Sequence, residues 1–209
     1  GVNRAFVRQG LRRLQYLERP GIAALARIAS VGPPFSPYHL GFVFGPRINA
    51  GGRVGRCDLG ARLLASDDVA EADELATTLD LNNRERQAIE ASIVASAVAL
   101  ALNQSDKNAL VVVGDGWHHG VVGIVAGRLK DRYAKPSFVA GFDSTDIGRG
   151  SARSVPGVDT GALVRRAKAE GLLEAGGGHA MAGGFSVRPD NLQRFRGILH
   201  QHLVAQHGP

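Results

Sequence analysis

The chain has 209 residues, of which 44% are apolar and one, Cys57, is a cysteine, and its formal net charge is +6. Its apolar runs fall far short of the ~20 residues that a membrane-spanning helix needs, and a single cysteine excludes an intrachain disulfide framework. We therefore expect a cytoplasmic protein without membrane contacts, built from one large domain or two small ones.

The charge is divided into three blocks along the chain. Residues 1–66 contain ten arginines and two acidic residues, residues 67–104 contain two arginines and eight acidic residues, and residues 105–209 contain thirteen basic and nine acidic residues. The basic excess at both ends indicates a polyanionic partner. Arginine supplies all the cations of the first block, and its planar guanidinium group suits phosphate oxygens.

The first block is predicted to be mainly helical. NRAFVRQGLRRLQYLERPGIAALARIA reads as two helices separated at Arg19-Pro20, because the residue before a proline is disfavoured in a helix. VGPPFSPYHLGFVFGP, rich in proline and glycine, is expected to form a structured loop. Since the chain begins without methionine and inside a helical pattern, we expect residues 1–66 to be the C-terminal remnant of a larger lobe.

A long helix is predicted from Ala70 to Asn103. The run lacks glycine and proline, Ser66-Asp67-Asp68 offers capping oxygens before it, and apolar residues recur at helical spacing. At 1.5 Å per residue it would measure roughly 50 Å. We expect residues 67–104 to be an acidic, solvated helix that connects two lobes.

Strands and helices alternate over residues 105–209. ALVVVGD, PSFVAGF, RGSARSV and MAGGFSV predict strands, and GVVGIVAGRLKDRY, DTGALVRRAKAEG and NLQRFRGILHQHL predict helices. This order is typical of an α/β domain with an open sheet, in which ligands bind at the carboxyl ends of strands.

The first candidate site is FGPRINAGGRVG, residues 44–55. Arg47, Asn49 and Arg53 lie among glycines, and in a turn of this kind backbone amides and two guanidinium groups can converge on an anion. The alternative is a glycine-rich corner whose arginines pair with acidic residues elsewhere. The spacing does not decide between the two.

The second candidate is GDGWHHGVVGIVAGRL, residues 114–129, where a strand leads into a helix. The helix N-terminus can bind an anion, His118 lies beside it, and Trp117 can stack on a base. The alternative places the tryptophan in the core and uses the histidine as a helix cap. A metal site of Asp115, His118 and His119 is disfavoured, because adjacent histidines rarely point the same way.

The third candidate is GRGSARSVPG, residues 148–157. In a strand Arg149, Ser151 and Arg153 share one face, and with Ser154 they would suit a phosphate backbone. The alternative is a sheet edge protected by charge.

The fourth candidate is GLLEAGGGHAMAGGFS, residues 171–186. Its glycines, Gly177 and Gly178 among them, are predicted to form a loop whose amides turn toward a ligand. His179 stands at the rim with a hydrogen bond or a charge to offer, and is the candidate catalytic residue. The small residues that follow leave room for a polyanion's backbone. The sequence contains no HExxH, Asp-x-Asp, GxSxG, Walker A or Cys/His metal motif.

GPRINAGGR, GWHHGVVGIVAGRL, GSARS and GGGHAMAGG, in this order, resemble the motifs of the RecJ family, single-stranded-DNA-specific exonucleases of the DHH/DHHA1 phosphoesterase superfamily. The resemblance implies a DHH lobe that binds Mn²⁺ or Mg²⁺ through Asp and His, a long helix, and a DHHA1 lobe, with single-stranded DNA between the lobes. It implies 5′→3′ cleavage by a metal-activated water, in DNA repair and recombination.

On this basis we expect an α/β fold class. Residues 1–66 are expected to be the C-terminal remnant of the DHH lobe, residues 67–104 the helix that connects the two lobes, and residues 105–209 a DHHA1 domain with a mixed sheet flanked by helices. The Asp-His-His motif is missing, so we expect no metal ligands, no bound cofactor and no activity of this chain alone. The resemblance implies phosphate or DNA contacts for Arg47, Asn49, Arg53, Trp117, His118, Ser151, Arg153, Ser154, Gly177, Gly178 and His179.

Two other functions fit the same residues. A phosphodiesterase for oligoribonucleotides or cyclic dinucleotides shares the glycine-histidine segment, although GPRINAGGR and the long helix favour the exonuclease. A nucleic-acid-binding module without a catalytic lobe is the alternative from another class.

Overall fold

The computed structural model describes residues 1–104 and 106–207 and divides into two compact units, Gly1–Ala88 and Ile89–Pro209. Each unit has its own buried apolar core. Among the described helices none combines the length and the apolar character needed to cross a bilayer.

The described first unit is built from helices. They are α1 (Val2–Leu14), α2 (Pro20–Ile28), a π-helical turn (His39–Phe44), α3 (Gly45–Val54), α4 (Leu59–Ala65) and the start of α5 (Val69–Leu102). The predicted break before α2 is confirmed: Arg19 is extended, with φ −88° and ψ 124°, and Pro20 occupies the first helical turn. The core of this unit includes Leu25, Phe44, Leu63 and Leu79.

The predicted loop of residues 31–46 is only partly confirmed: residues 31–36 lie outside any helix, whereas the chain is helical from residue 37. The predicted turn of residues 44–55 was wrong, because α3 occupies it. The π-helical turn leads directly into α3. Pro46 lies in the first turn of α3, where no intrahelical N–H bond is required of it. Gly51 is buried, and a Cβ there would lie 2.5 Å from the carbonyl oxygen of Arg56. Close packing therefore explains Gly51, whose motif predicted an anion-binding turn.

Helix α5 confirms the predicted long helix to within one residue at each end. It runs unbroken for 34 residues, and Asp68 accepts a hydrogen bond from the backbone N–H of Glu71 at 2.9 Å. Leu75 and Leu79 are buried in the first unit's core. Ile93 is also buried. The boundary between the two units, after Ala88, falls within this helix.

The second unit contains a five-stranded mixed sheet of order β1-β2-β3-β5-β4. The strands are β1 (Leu110–Asp115), β2 (Ser137–Phe142), β3 (Gly148–Arg153), β4 (Ala175–His179) and β5 (Ala182–Val187), and the helices are α6 (His119–Tyr133), α7 (Thr160–Ala169) and α8 (Leu192–His207), the last preceded by a 3₁₀ turn (Pro189–Asn191). Within this sheet the β1–β2 pair is parallel, and the other pairs are antiparallel. The expected α/β fold with a mixed sheet flanked by helices is confirmed.

One face of this sheet packs into the main core. Phe138, Phe185 and Phe195 are buried there, with ring centroids 5.3–6.1 Å apart, and side chains of α7 and α8 complete the cluster. The opposite face contacts α6 along β2 and β3. The two faces therefore have different neighbours, and this difference positions the candidate site.

Candidate functional site

The strand register assigns each residue of the sheet to one face. Residues paired on adjacent strands project to the same side. On the side of α6, three rows of residues cross all five strands. They are Gly114, Gly141, Arg149, Ser186 and Ala175; then Val112, Val139, Ser151, Gly184 and Gly177; then Leu110, Ser137, Arg153, Ala182 and His179.

Helix α6 packs on part of this side, and β5 and β4 are bare beyond it. A Cβ built on Gly123 of α6 would lie 3.1 Å from Nη2 of Arg153 and 3.2 Å from Oγ of Ser151, so the helix touches β3. At Gly177 no described heavy atom beyond the neighbouring residues of the chain lies within 4 Å of such a Cβ, and at Gly184 the nearest is 3.9 Å away. We call the α6-side surface of β3, β5 and β4 the open face.

The polar side of the open face comes from β3. Arg149, Ser151 and Arg153 project from alternate positions of the strand, as predicted. Arg149 is exposed, and Nη1 of Arg153 donates to the carbonyl oxygen of Ala152 at 2.9 Å. Ser154 lies outside this group: it is buried, and its hydroxyl donates to the carbonyl oxygen of Val158 at 2.7 Å. The structure thus brings together three of the four residues of the third candidate.

The glycine run forms strand β4, and the predicted loop was wrong. Only some of the glycines of β4 lie on the open face. A Cβ on Gly176 would lie 2.7 Å from Cγ1 of Val164 in α7, and one on Gly161 would lie 2.6 Å from the carbonyl oxygen of Gly178. Gly178 also has a φ of +150°, which other residues rarely adopt. Alternate glycines therefore permit close packing of α7, and the others leave the open face bare.

His179 is the last residue of β4 and is exposed on the open face. It pairs with Ala182, which pairs in turn with Arg153. At about 4.8 Å between neighbouring strands, the Cα atoms of His179 and Arg153 are about 10 Å apart. Between them stands a side chain no larger than a methyl group. An extended anion that crosses this row can reach both residues.

The turn after β1 supports both alternatives of the second candidate in part. Trp117 packs its indole ring over Gly114, where a Cβ would lie 2.2 Å from Cε2, and it is half-buried. His118 caps α6, since its Nδ1 accepts from the N–H of Gly120 at 3.1 Å. In the neutral ring the proton is then on Nε2. The rings of His118 and His119 stack, with centroids 4.9 Å apart, contrary to the expectation that they diverge.

A carboxylate lies near the polar side of the open face. Asp143 follows β2, and its pKa is lowered chiefly by a hydrogen bond from the hydroxyl of Thr145 and then by one from the backbone of that residue. The positive charges of Arg149 and His119 lower the pKa of Asp143 further. The negative charge of Asp143 therefore opposes the attraction between Arg149 and an anion.

The arginines of the first candidate lie on α3 in the first unit. Nε of Arg47 donates to Oδ1 of Asp80 at 2.8 Å, and its Nη1 donates to the carbonyl oxygen of Val43 at 2.8 Å. Asn49 and Arg53 are exposed and are separated by one helical turn. For Arg47 the structure favours the alternative in which the arginine pairs with an acidic residue elsewhere in the chain.

Over the described residues, no group of three or more His, Cys, Asp or Glu side chains is placed to hold a metal ion. The stacked histidines and Asp115 do not form such a group. The donors present in the described chain therefore do not fit the divalent ions that the resemblance implies.

Two features escaped the sequence analysis. Ser186 belongs to the open face, and the alternation of small and large residues along β5 signals this once the strand is paired. Tyr38 and Phe42 form an exposed aromatic pair, with stacked rings 5.2 Å apart, in the segment predicted as a loop. Their four-residue spacing is the signal that a helical turn brings them together.

Comparisons with known proteins agree with this architecture. A family model described as the DHHA1 domain matches residues 106–205. The single-stranded-DNA-specific exonuclease RecJ of Haemophilus influenzae is 36% identical over 97% of this chain, which covers 37% of that protein.

Solved structures give the same relationship. The crystal structure of RecJ with Mg²⁺ from Thermus thermophilus matches all of this chain with a TM-score of 0.88 and 30% identity, over 32% of its own length. The Mn²⁺ complex from the same source matches 98% of this chain with a TM-score of 0.87. The chain spans about a third of the length of these relatives. Residues 106–205 thus match a DHHA1 domain, and nearly the whole chain is similar to the corresponding third of the RecJ exonucleases.

Proposed function

We propose that this chain supplies the single-stranded-DNA-binding surface of a RecJ-type 5′→3′ exonuclease that acts in DNA repair and recombination. The observation that carries the proposal is the open face, where arginine and serine side chains of β3 border β5 and β4, whose residues on this face are glycine, alanine and serine except for His179. In this proposal the Mn²⁺ or Mg²⁺ needed for hydrolysis is bound by a lobe that these 209 residues do not include.

The open face suits a sugar-phosphate backbone. Arg149 and Arg153 are four residues apart on one strand, so their Cα atoms are separated by about 13 Å. That spacing lets them contact different phosphates of one strand. At Gly177 and Gly184 the missing side chains allow a nucleotide backbone to approach the sheet. The contacts go to phosphate and sugar, so this binding does not depend on base sequence.

The other candidate residues take supporting roles in this proposal. The Nε2–H of His118 and the ring of His179 donate to phosphate oxygens, and Trp117 offers the exposed part of its indole ring to a base. Asn49 and Arg53, exposed on α3, are separate candidate phosphate contacts of the first unit. Arg47 acts through Asp80 to hold α3 and α5 together, and presents its remaining guanidinium N–H groups to the 5′ phosphate.

The test is the binding of 5′-labelled oligo-dT to the 209-residue chain, followed by fluorescence anisotropy. Arg153→Ala should weaken binding roughly tenfold, the effect of losing one charged hydrogen bond of about 1.5 kcal/mol. It should also lower the slope of log K against log salt by about 1. The matched control is Arg166→Ala, which removes an exposed arginine of α7 that pairs with Glu170. Equal effects of the two substitutions, or salt-independent binding, would refute the proposal.

A further inference from the structure

The hairpin that joins β4 to β5 ends in a two-residue turn, Ala180 and Met181. The residues on either side of the turn, His179 and Ala182, pair with each other, and Ala182 pairs in turn with Arg153 of β3. All three belong to the open face. The turn therefore lies at one end of that face, beside the row of Arg153, Ala182 and His179.

The backbone of this turn is held by residues outside the hairpin. The carbonyl oxygen of Met181 accepts a hydrogen bond from the N–H of Ser154 at 3.0 Å. The carbonyl oxygen of Ala180 accepts one from the N–H of Thr160 at 2.9 Å. Neither turn residue has a positive φ, although the turns preferred in two-residue hairpins contain one or two such residues. The bonds from outside therefore fix a turn that the hairpin alone does not favour.

Both anchors of the turn are themselves buried. Ser154 is 1% exposed, and Thr160, at the start of α7, is completely buried. Further along α7, Nη1 of Arg165 donates to the carbonyl oxygen of Gly178 at 2.7 Å. A turn fixed in this way has little backbone freedom to lose when a ligand binds, so its side chains are positioned in advance.

The side chain at the tip of this turn is apolar and accessible. Met181 is 50% exposed, and outside α5 it is the one large apolar residue exposed in the described part of the second unit. Single exposed apolar residues are common on protein surfaces, so the exposure alone indicates no function. What distinguishes Met181 is its place on a fixed turn between two residues of the open face.

The neighbouring row explains what an apolar side chain can do here. An extended anion that crosses the row can reach both Arg153 and His179, because only the methyl group of Ala182 stands between them. If that anion is a nucleic-acid strand, its phosphate meets these two residues and its bases remain to be covered. Methionine is unbranched and polarizable and makes favourable contacts with aromatic rings. Apolar side chains, methionine among them, insert between neighbouring bases in protein–nucleic acid complexes.

We propose that Met181 packs against a nucleobase of the bound single strand while Arg153 and His179 contact the adjacent phosphate. The inference rests on the proposed function of the open face and adds to it a base contact at the β4–β5 turn. Every base has a flat face, so this contact adds affinity without selecting a base sequence. Binding through Met181 therefore requires that bases are present, whichever they are.

The test compares two ligands with the same number of phosphates, oligo-dT and an abasic oligonucleotide, by fluorescence anisotropy with the 209-residue chain. Met181→Ala removes most of the side chain, and Met181→Leu keeps its apolar bulk. The matched control is Leu102→Ala, which truncates another exposed apolar residue of the second unit, 60% exposed at the end of α5. Arg153→Ala reports the phosphate contact.

We expect Met181→Ala to weaken oligo-dT binding about fivefold, as the loss of a partly buried methionine side chain implies, and to leave abasic binding nearly unchanged. Met181→Leu should retain most of the affinity for oligo-dT, and Leu102→Ala all of it. Arg153→Ala should weaken the binding of both ligands alike. Since Met181 is exposed, the melting temperature of Met181→Ala should equal that of the parent chain.

The two proposals fail in different ways. Normal oligo-dT binding by Met181→Ala, together with a loss in Arg153→Ala, would overturn the base contact and keep the proposed function. Equal losses of oligo-dT and abasic binding in Met181→Ala would show that the residue supports the phosphate contacts, and would overturn the base contact too. The same conclusion follows if Met181→Leu or Leu102→Ala loses as much affinity as Met181→Ala. A parent chain that does not bind oligo-dT would overturn both proposals.

Discussion

Arg47 and Asp80 form an ion pair whose carboxylate is buried and whose guanidinium group is partly exposed. Their Nε and Oδ1 atoms are 2.8 Å apart, and the two side chains are 19% and 4% exposed. Arg84 binds the other oxygen of Asp80, also at 2.8 Å, but its own side chain is 71% exposed. The buried carboxylate of Asp80, on α5, thus binds Arg47 of α3 and Arg84 of α5.

Replacing Arg47 should therefore destabilise the first unit. Arg47→Ala leaves Asp80 buried with only an exposed partner, a loss of about 1–3 kcal/mol in the free energy of unfolding. Arg84→Ala is the matched control and should cost less than about 1 kcal/mol, as exposed ion pairs do. Urea denaturation of both variants measures the difference. Equal losses would show that the burial of Arg47 adds nothing to the pair.

Two adjacent glycines of β4 should respond in opposite ways to substitution. Gly177→Val adds a side chain in open space on a strand, so stability should be unchanged or higher while oligo-dT binding falls. Gly178→Ala places a Cβ 2.4 Å from the carbonyl oxygen of Ala182 at a φ of +150°. It should lose roughly 1–3 kcal/mol of stability. Normal DNA binding by Gly177→Val would show that β4 and β5 do not belong to the binding surface.

Gly123 of α6 should control the position of the β3 side chains. A Cβ there would approach Arg153 and Ser151 to 3.1 and 3.2 Å, so Gly123→Ala must displace them by a few tenths of an ångström. We expect weaker oligo-dT binding with little change in melting temperature, because alanine also favours the helix. Gly127→Ala, one turn further along α6, should stabilise the helix and leave binding intact. A binding loss shared by both variants would contradict this role.

The start of α5 should be sensitive to acid through Glu71. Hydrogen bonds from Arg62, the larger cause, and from Ser66 lower the pKa of Glu71 below its ordinary value of 4.5. Folding therefore favours the ionised form of Glu71, and the ionised carboxylate stabilises the folded state. This stabilisation is complete above pH 4.5 and is lost as the pH falls through the lower pKa of the folded state. Glu71→Gln should be less stable than the parent at neutral pH, with a difference that shrinks in acid. Glu74→Gln, on the same helix, is the control, and a pH-independent difference would contradict the assignment.

The sequence predicts α5 well and β4 poorly, for reasons that lie in local chemistry. A run of 34 residues without glycine or proline has few alternatives to a helix. Glycine, by contrast, has little tendency to form strands, and β4 exists because β5 pairs with it and α7 packs against it. Helix α3 was also predicted poorly, because Gly51 is required by tertiary contacts that no local sequence pattern reveals.

The same distinction applies to the site. Alternation along β3 is a local property, and it places Arg149, Ser151 and Arg153 on one face as predicted. The partner of Arg47 lies 33 residues away in the chain, and spacing within FGPRINAGGRVG does not identify it. Ser154 follows the last residue of β3, where the alternation ends, and its hydroxyl turns to Val158.

The strict alternation of β5 has a further consequence for how this segment tolerates insertions and deletions. Phe185, 4% exposed, stands between Gly184 and Ser186. Losing or gaining one residue in this strand would shift every later side chain to the other side. An aromatic ring would then emerge where the sheet is bare, and a glycine would leave a void among the phenylalanines. Length changes here should therefore be excluded more strictly than most single substitutions.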